Sequence, residues 1–126
     1  MDTINIEATD ETPKVILNAE SGIFEFSGKS LPEDVTIFYD PILAWLEEYA
    51  ENPVDPTKVI FKMDYFNTAS SKLILDILMA LEEIHEEHDC VSIEWHFLDD
   101  DEDMEEAGEE FSEIVEDVPF ELKSYE

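Results

Sequence analysis

The chain has 126 residues, with 35 acidic against 6 basic side chains and a formal net charge of −29. Such a charge repels the phosphates of nucleic acids and of anionic lipids, which excludes nucleic-acid binding as a function. A hydrophobic share of 44% is nevertheless enough to bury a core, and the length fits one domain. We therefore expect a single domain over residues 1–126.

The cysteine count and the hydropathy pattern set the compartment. Cys90 is the one cysteine, so no internal disulfide is expected. The pattern contains no signal peptide and no apolar run long enough for membrane insertion, and we expect a cytoplasmic protein. The acidic residues are spread along the whole chain, which favours an adaptation for solubility or high salt over an acidic recognition tail.

The N-terminal part of the chain predicts an arm followed by a hairpin. Residues 1–11 are mostly polar, and we expect them to form a loosely held, flexible arm. Val15–Leu17 and Ile23–Phe26 are β-branched and aromatic runs on either side of a loop that contains Gly22. This pattern is typical of a β-hairpin.

A first amphipathic helix is predicted after the hairpin. Phe38, Trp45 and Tyr49 follow helical spacing, and we interpret this stripe as core packing against a sheet. Proline disrupts a helix interior but is favoured at the first helical position. We therefore expect the regular helix to begin at Pro41, with Asp40 as its cap.

The rest of the chain alternates between strand and helix patterns. The expected strands and helices, in order, are 59–66, 69–87, 91–97, 104–115 and 118–122. Such alternation implies parallel crossover connections in an α/β domain. We expect a mixed sheet of five or six strands that starts with the hairpin, and three main helices mostly on one face.

The segment between the third expected strand and the longest helix is the candidate functional site, because open α/β sheets bind ligands at such junctions. A hydroxyl at Thr68 would lie beside unpaired amides at the positive end of the helix dipole. An added phosphate would be stabilised there, and Lys72, one turn further on, would help to pair it.

A plainer interpretation of the same residues is helix capping. Asn67 or Thr68 would then accept hydrogen bonds from the amides near Ser70 and Ser71 and contribute about 1 kcal/mol. Local chemistry favours this cap, since most hydroxyls at helix starts do nothing else. The two roles are compatible.

Four segments resemble the SiaC family of bacterial regulatory phosphoproteins. They are Tyr39–Tyr49 (YDPILAWLEEY), Tyr65–Ser71 (YFNTASS), Leu81–His85 (LEEIH) and Val91–His96 (VSIEWH). The resemblance extends from about residue 12 to the C-terminus, and the segment around Asn67 and Thr68 is its most specific part. This chain is far more acidic than the family, which bears on its partner surfaces more than on the switch site.

The resemblance implies a function without catalysis or a cofactor. Thr68 would be phosphorylated by a histidine-kinase-like serine/threonine kinase and dephosphorylated by a metal-dependent serine/threonine phosphatase. The unphosphorylated form would bind a diguanylate cyclase and promote cyclic-di-GMP synthesis, aggregation and biofilm formation. The fold would be similar to the STAS fold of anti-sigma-factor antagonists. The recognition residues around the phosphorylation site would be Tyr65, Asn67, Ser70, Ser71 and Lys72.

Two other functions stay open. The first is an anti-sigma-factor antagonist, which switches partners through a phosphorylated hydroxyl at a similar junction. The second is a calcium sensor, because acidic residues occupy the first, third, fifth and twelfth places of a calcium loop. They are Asp99, Asp101, Asp103 and Glu110. Met104 stands at the sixth place, where such a loop needs glycine, so a solvated acidic helix start is the favoured interpretation.

No other pattern predicts a metal site or an enzyme. His85, His88 and Asp89 lie near a helix end without a second pair of ligands at metal-binding spacing. The sequence has no glycine-rich phosphate loop and no nucleophile elbow. We therefore expect neither a metal nor catalysis.

Overall fold

The computed structural model describes all residues from Met1 to Glu126. The elements in chain order are β1 (Ile4–Ile6), β2 (Lys14–Asn18), β3 (Ile23–Ser30), α1 (Val35–Tyr49), β4 (Thr57–Phe66), α2 (Thr68–His88), β5 (Val91–Leu98), α3 (Glu102–Ile114) and β6 (Phe120–Tyr125). The predicted hairpin, the alternation of helices and strands and the number of helices are confirmed. The final strand begins at Phe120 rather than at Val118, and Val118 is buried just before it.

The strands form one mixed sheet in the order β1-β2-β3-β4-β5-β6. The first three strands pair antiparallel, and the strands from β3 to β6 pair parallel. Each parallel connection passes through one of the three helices, as the alternating pattern predicted. The predicted α/β fold with a mixed sheet is therefore confirmed.

The hydrophobic core lies on one face of this sheet. Along β5, the side chains of Val91, Ile93, Trp95 and Phe97 are buried, whereas the side chains between them remain partly exposed. Strands β2 and β4 alternate in the same way. Because successive side chains of a strand point to opposite faces, all the helices cover the same face. The other face has no helix on it.

Helix α1 begins earlier than expected. Its N-cap is Asp34, whose carboxylate accepts hydrogen bonds from the amides of Thr36 and Ile37, and Pro41 lies inside the helix. Proline removes the bond to the carbonyl four residues back, here that of Ile37. Ile37 and Pro41 are both exposed, so water can solvate that carbonyl, and the helix tolerates the proline. The expected start at Pro41 with Asp40 as cap was wrong.

The N-terminal arm also differs from the expectation. Within residues 1–11, Ile4–Ile6 form the edge strand β1 and pair with β2, so the segment is not a loosely held arm throughout. The indole of Trp45 donates a 2.8 Å hydrogen bond to the carbonyl of Asp2 and ties the chain end to α1. Two isoleucines at a spacing of two are enough for a strand here because β2 offers a free edge.

Helix α3 packs unusually close to the sheet. The buried indole of Trp95 donates a 3.0 Å hydrogen bond to the carbonyl of Met104, and Gly108 lies directly above the ring. A Cβ atom on Gly108 would lie 2.5 Å from Trp95 Cδ1 and 2.7 Å from a methyl carbon of Leu122. Gly108 therefore weakens the isolated helix but permits its packing.

Replacement of Gly108 tests this packing, because helix propensity and packing predict changes of opposite sign in the free energy of unfolding. Gly108→Ala would stabilise an isolated helix by about 1 kcal/mol. In the folded protein we expect a loss of about 1 to 3 kcal/mol in the free energy of unfolding, measured by urea titration. Ser112→Ala, in the same helix, is the control and is expected to change stability by less than about 0.5 kcal/mol. A stabilised Gly108→Ala protein would contradict the packing.

Candidate functional site

The junction between β4 and α2 is built around Asn67. Its backbone is extended, its side-chain oxygen accepts a 2.8 Å hydrogen bond from the amide of Ser70, and its carbonyl accepts one of 2.9 Å from the amide of Ser71. These contacts are those of a helix N-cap. Between the two candidates for the cap, the structure therefore assigns Asn67.

Thr68 is the first residue of α2 and is exposed. Its hydroxyl makes no hydrogen bond with the protein, in contrast to the side chain of Asn67. The amides of Thr68 and Ala69 belong to the first turn, where a helix offers no backbone acceptor. An accessible hydroxyl, two available amides and the positive end of a helix of 21 residues thus meet at one point.

A cluster of three buried hydroxyl groups lies beneath this helix start. Ser30 at the end of β3 donates a 2.8 Å hydrogen bond to Ser70 and also contacts the phenol of Tyr39 in α1. Burial raises the pKa of Tyr39, and its hydrogen bonds to Ser30 and Ser70 offset part of that rise. The phenol therefore stays protonated, and it donates to Ser30 because the Ser30 hydroxyl gives its own proton to Ser70. The carbonyl of Ser30 accepts a further bond of 3.1 Å from the amide of Asn67.

The five residues expected to flank Thr68 fall into two groups. Tyr65 is 53% exposed, and Lys72 is exposed with no carboxylate oxygen within 4.0 Å. Asn67 and Ser71 are half-buried, and Ser70 is completely buried. Tyr65 and Lys72 are therefore accessible to solvent, whereas Asn67 and Ser70 hold the helix start in place.

The other constellations have structural roles. Helix α3 begins at Glu102 with Asp101 as its cap, so Glu110 lies two turns inside a helix and the chain does not form a calcium loop. His85 Nδ1 accepts a hydrogen bond from the amide of Val91, and His88 Nε2 lies 3.1 Å from the carbonyl of Ala50. These histidines connect the end of α2 to its neighbours.

One acidic cluster was not predicted from the sequence. Carboxylate oxygens of Glu82, Glu86 and Asp117 lie within 4.8 Å of one another at the surface. The pKa of Glu86 is raised by partial desolvation and by the charges of Asp117 and Glu82. The loop before β6 brings Asp117 to α2 across 35 residues, where its amide donates to Glu82. No local pattern indicates such a contact.

Comparison with known proteins agrees with this architecture. Residues 6–125 match the family model described as SiaC family regulatory phosphoprotein. This match identifies the chain, whose sheet carries helices on one face only, as a regulatory phosphoprotein. It belongs to the SiaC family, and the resemblance predicted from the sequence is confirmed. None of its helices has the length and apolar character needed to cross a bilayer.

Relatives at about 30% identity cover almost the whole chain. An uncharacterised protein of Pseudomonas aeruginosa strain UCBPP-PA14 is 29% identical over 126 residues, which is 100% of this chain and 99% of the relative. The crystal structure of apo-SiaC from Pseudomonas aeruginosa is similar with a TM-score of 0.88 at 30% identity, covering 98% of this chain and 100% of that one. A structure of the diguanylate cyclase SiaD with its activator SiaC, also from Pseudomonas aeruginosa, matches with a TM-score of 0.89 at 30% identity, covering 97% and 99%.

The assignment of the cap predicts different stabilities for two neighbouring variants. Asn67→Ala removes the acceptor of the Ser70 amide and is expected to lower the free energy of unfolding by about 1 kcal/mol. Thr68→Ala removes a hydroxyl without a protein partner, so we expect a change below about 0.5 kcal/mol. Urea titration of both variants measures the difference. Equal losses, or a larger loss for Thr68→Ala, would contradict the assignment of Asn67 as the cap.

Proposed function

We propose that this chain is a cytoplasmic, non-catalytic switch protein in which reversible phosphorylation of Thr68 controls binding to a diguanylate cyclase. The observation that carries the proposal is the separation of roles between two neighbours. Asn67 caps the helix, and the exposed hydroxyl of Thr68 makes no hydrogen bond with the rest of the protein. A phosphate at Thr68 would thus cost the fold no hydrogen bond.

The surroundings of Thr68 support a bound phosphate. Phosphorylation adds about 1.5 to 2 negative charges and three strong acceptor oxygens. The amides of Thr68 and Ala69 and the helix dipole would stabilise this charge. Lys72 lies one turn further along and has no acidic partner within 4.0 Å, so it is available to the phosphate.

The buried hydroxyl cluster favours a switch that blocks an interface over one that moves a helix. Ser30, Tyr39 and Ser70 connect β3, α1 and α2 in the core, so a displacement of the helix start would break their hydrogen bonds. A dianion at an exposed position instead adds a desolvation cost to any partner that covers it. An inversion of binding from 1:99 to 99:1 needs about 5.5 kcal/mol of differential affinity.

We propose the enzymes of the switch by analogy with the family. A histidine-kinase-like serine/threonine kinase would phosphorylate Thr68, and a metal-dependent serine/threonine phosphatase would reverse the reaction. The cyclase is the proposed output because SiaC of Pseudomonas aeruginosa, which is similar over nearly the whole chain, is described as the activator of SiaD. An anti-sigma factor is the alternative output, and the identity of the captured partner separates the two.

Affinity capture from a lysate of the native host tests both the site and the output. The baits are the chain with Thr68→Ala, the chain with Thr68→Asp, and Thr36→Asp as the matched control. Thr36 is also an exposed threonine in the first turn of a helix. Its replacement by aspartate therefore adds the same charge at another helix start. We expect Thr68→Ala and Thr36→Asp to retain a diguanylate cyclase, identified by mass spectrometry, and Thr68→Asp to lose it.

Each outcome has a definite meaning. If Thr68→Asp retains the same proteins as Thr68→Ala, the regulatory role of Thr68 is wrong. If both aspartate variants lose the cyclase, the added negative charge weakens binding wherever it is placed, and Thr68 has no special role. Capture of an anti-sigma factor in place of a cyclase would keep the switch but change its output.

A further inference from the structure

One face of the sheet is left uncovered although most of the sheet is parallel. Strands β3 to β6 pair parallel, and the three helices all lie on the opposite face. Parallel sheets in proteins almost always have both faces covered, whereas antiparallel sheets commonly expose one face to water. The open face is therefore unusual for a sheet that is mostly parallel.

The charge of this face differs from that of the rest of the protein. It carries four of the six lysines of the chain and a similar number of carboxylates. The lysines are Lys14, Lys58, Lys62 and Lys123, and the carboxylates are Glu25, Asp64, Glu94 and Glu121. The face is thus nearly neutral, and the net charge of −29 resides on the remaining surface.

Six of these eight charges lie in two rows that run across the strands, whereas Lys58 lies beyond the acidic row and Asp64 beyond the basic row along β4. The acidic row crosses five strands in continuous register and consists of Ile16, Glu25, Ile60, Glu94 and Glu121. The basic row lies two residues away along each strand and consists of Lys14, Ser27, Lys62, His96 and Lys123. The rows are therefore about 7 Å apart and about 19 Å long.

Glu94, in the acidic row, is held by contacts within the chain. Glu94 lies 3.0 Å from Lys58, 2.9 Å from His96 and 3.5 Å from Lys123. The hydrogen bond from His96, together with the two lysines, lowers the pKa of Glu94 to about 2, although burial opposes the shift. Its charge therefore persists throughout the neutral and mildly acidic range.

The basic row has one cation without an acidic partner. Lys62 has no carboxylate oxygen within 4.0 Å and instead lies 4.4 Å above the ring of Tyr125. Two apolar side chains on the same face are also exposed, Ile23 by 48% and Leu98 by 37%. Lys62 and these two apolar side chains are therefore accessible to a molecule that covers the face.

We propose that the open sheet face binds a second copy of this chain in a two-fold symmetric dimer. A two-fold axis that lies in the interface and runs parallel to the rows, midway between them, exchanges their positions. Each acidic row then faces the basic row of the other copy, and every attractive contact occurs twice. Such an isologous interface needs one surface that complements itself, and the paired rows provide it.

The rows also argue against other occupants. A purely basic partner would meet the basic row, and a purely acidic partner would meet the acidic row, so each would gain on one row and lose on the other. An approach of two copies through the remaining surface would bring strongly negative surfaces together. The rows and strands outline a footprint of about 500 Å², which suits a weak dimer that depends on protein concentration.

Sedimentation velocity of the unphosphorylated chain from about 10 µM to about 1 mM measures this dimer. We expect Lys62→Glu to raise the dimer dissociation constant by at least about tenfold, because the new carboxylate lies opposite Ile60 of the other copy and between its Glu25 and Glu94. Lys72→Glu is the matched control, since Lys72 is also exposed, has no ion pair and changes the net charge equally. We expect a change below about twofold for it.

A charge exchange between two copies gives the decisive result. Glu25→Lys alone is also expected to weaken the dimer, because the new lysine faces the basic row. A mixture of the Lys62→Glu and Glu25→Lys proteins has attraction in both halves of the interface, so we expect heterodimers with nearly the original affinity. Glu121→Lys replaces Glu25→Lys if thermal melting shows that the latter does not fold.

Three results would overturn the proposal. The first is a chain that stays monomeric at every concentration, which would mean that another molecule or water covers the face. The second is an equal effect of Lys62→Glu and Lys72→Glu, which would reflect net charge alone. The third is a mixture of the two charge variants that remains monomeric. None of these results depends on phosphorylation or on the cyclase.

Discussion

Three hydroxyl groups from different parts of the chain meet in the core beneath the start of α2, and the geometry of the candidate site depends on them. Ser30, Tyr39 and Ser70 satisfy one another in a place where an unpaired hydroxyl would cost about 1 to 3 kcal/mol. The carbonyl of Ser30 also holds Asn67, the cap of α2. The cluster therefore determines where the first turn lies and which side chains face outward from it.

Most of the fold was predictable because its elements are local patterns. The alternation of apolar residues in β2, β4 and β5 and the stripe of α2 each lie within one segment. The start of α1 was not predictable, because tolerance of Pro41 depends on water reaching the carbonyl of Ile37. Strand β1 was missed because its pairing with β2 depends on the sheet and not on its own three residues.

The candidate site was likewise predictable only where it depends on residues that are neighbours in the sequence. The junction of β4 and α2 and the candidate cap follow from neighbouring residues, and family resemblance pointed to Thr68. The burial of Ser70 follows from contacts with Ser30, 40 residues away, and with Tyr39. Gly108 was interpreted as a weak helix residue because its contact with Trp95 is visible only once α3 lies on the sheet. Tertiary contacts thus decide roles that local patterns leave open.

The burial of Ser70 reduces the number of hydroxyl groups at the junction that a kinase can reach. Thr68, Ser70 and Ser71 offer three hydroxyl groups within four residues, but Ser70 is fully enclosed and Ser71 is half-buried. Thr68 is therefore the most exposed of the three hydroxyl groups to a kinase that reaches this turn. Under the proposed function, each molecule holds either no phosphate or one, and intermediate levels of output arise from the proportion of modified molecules in the cell.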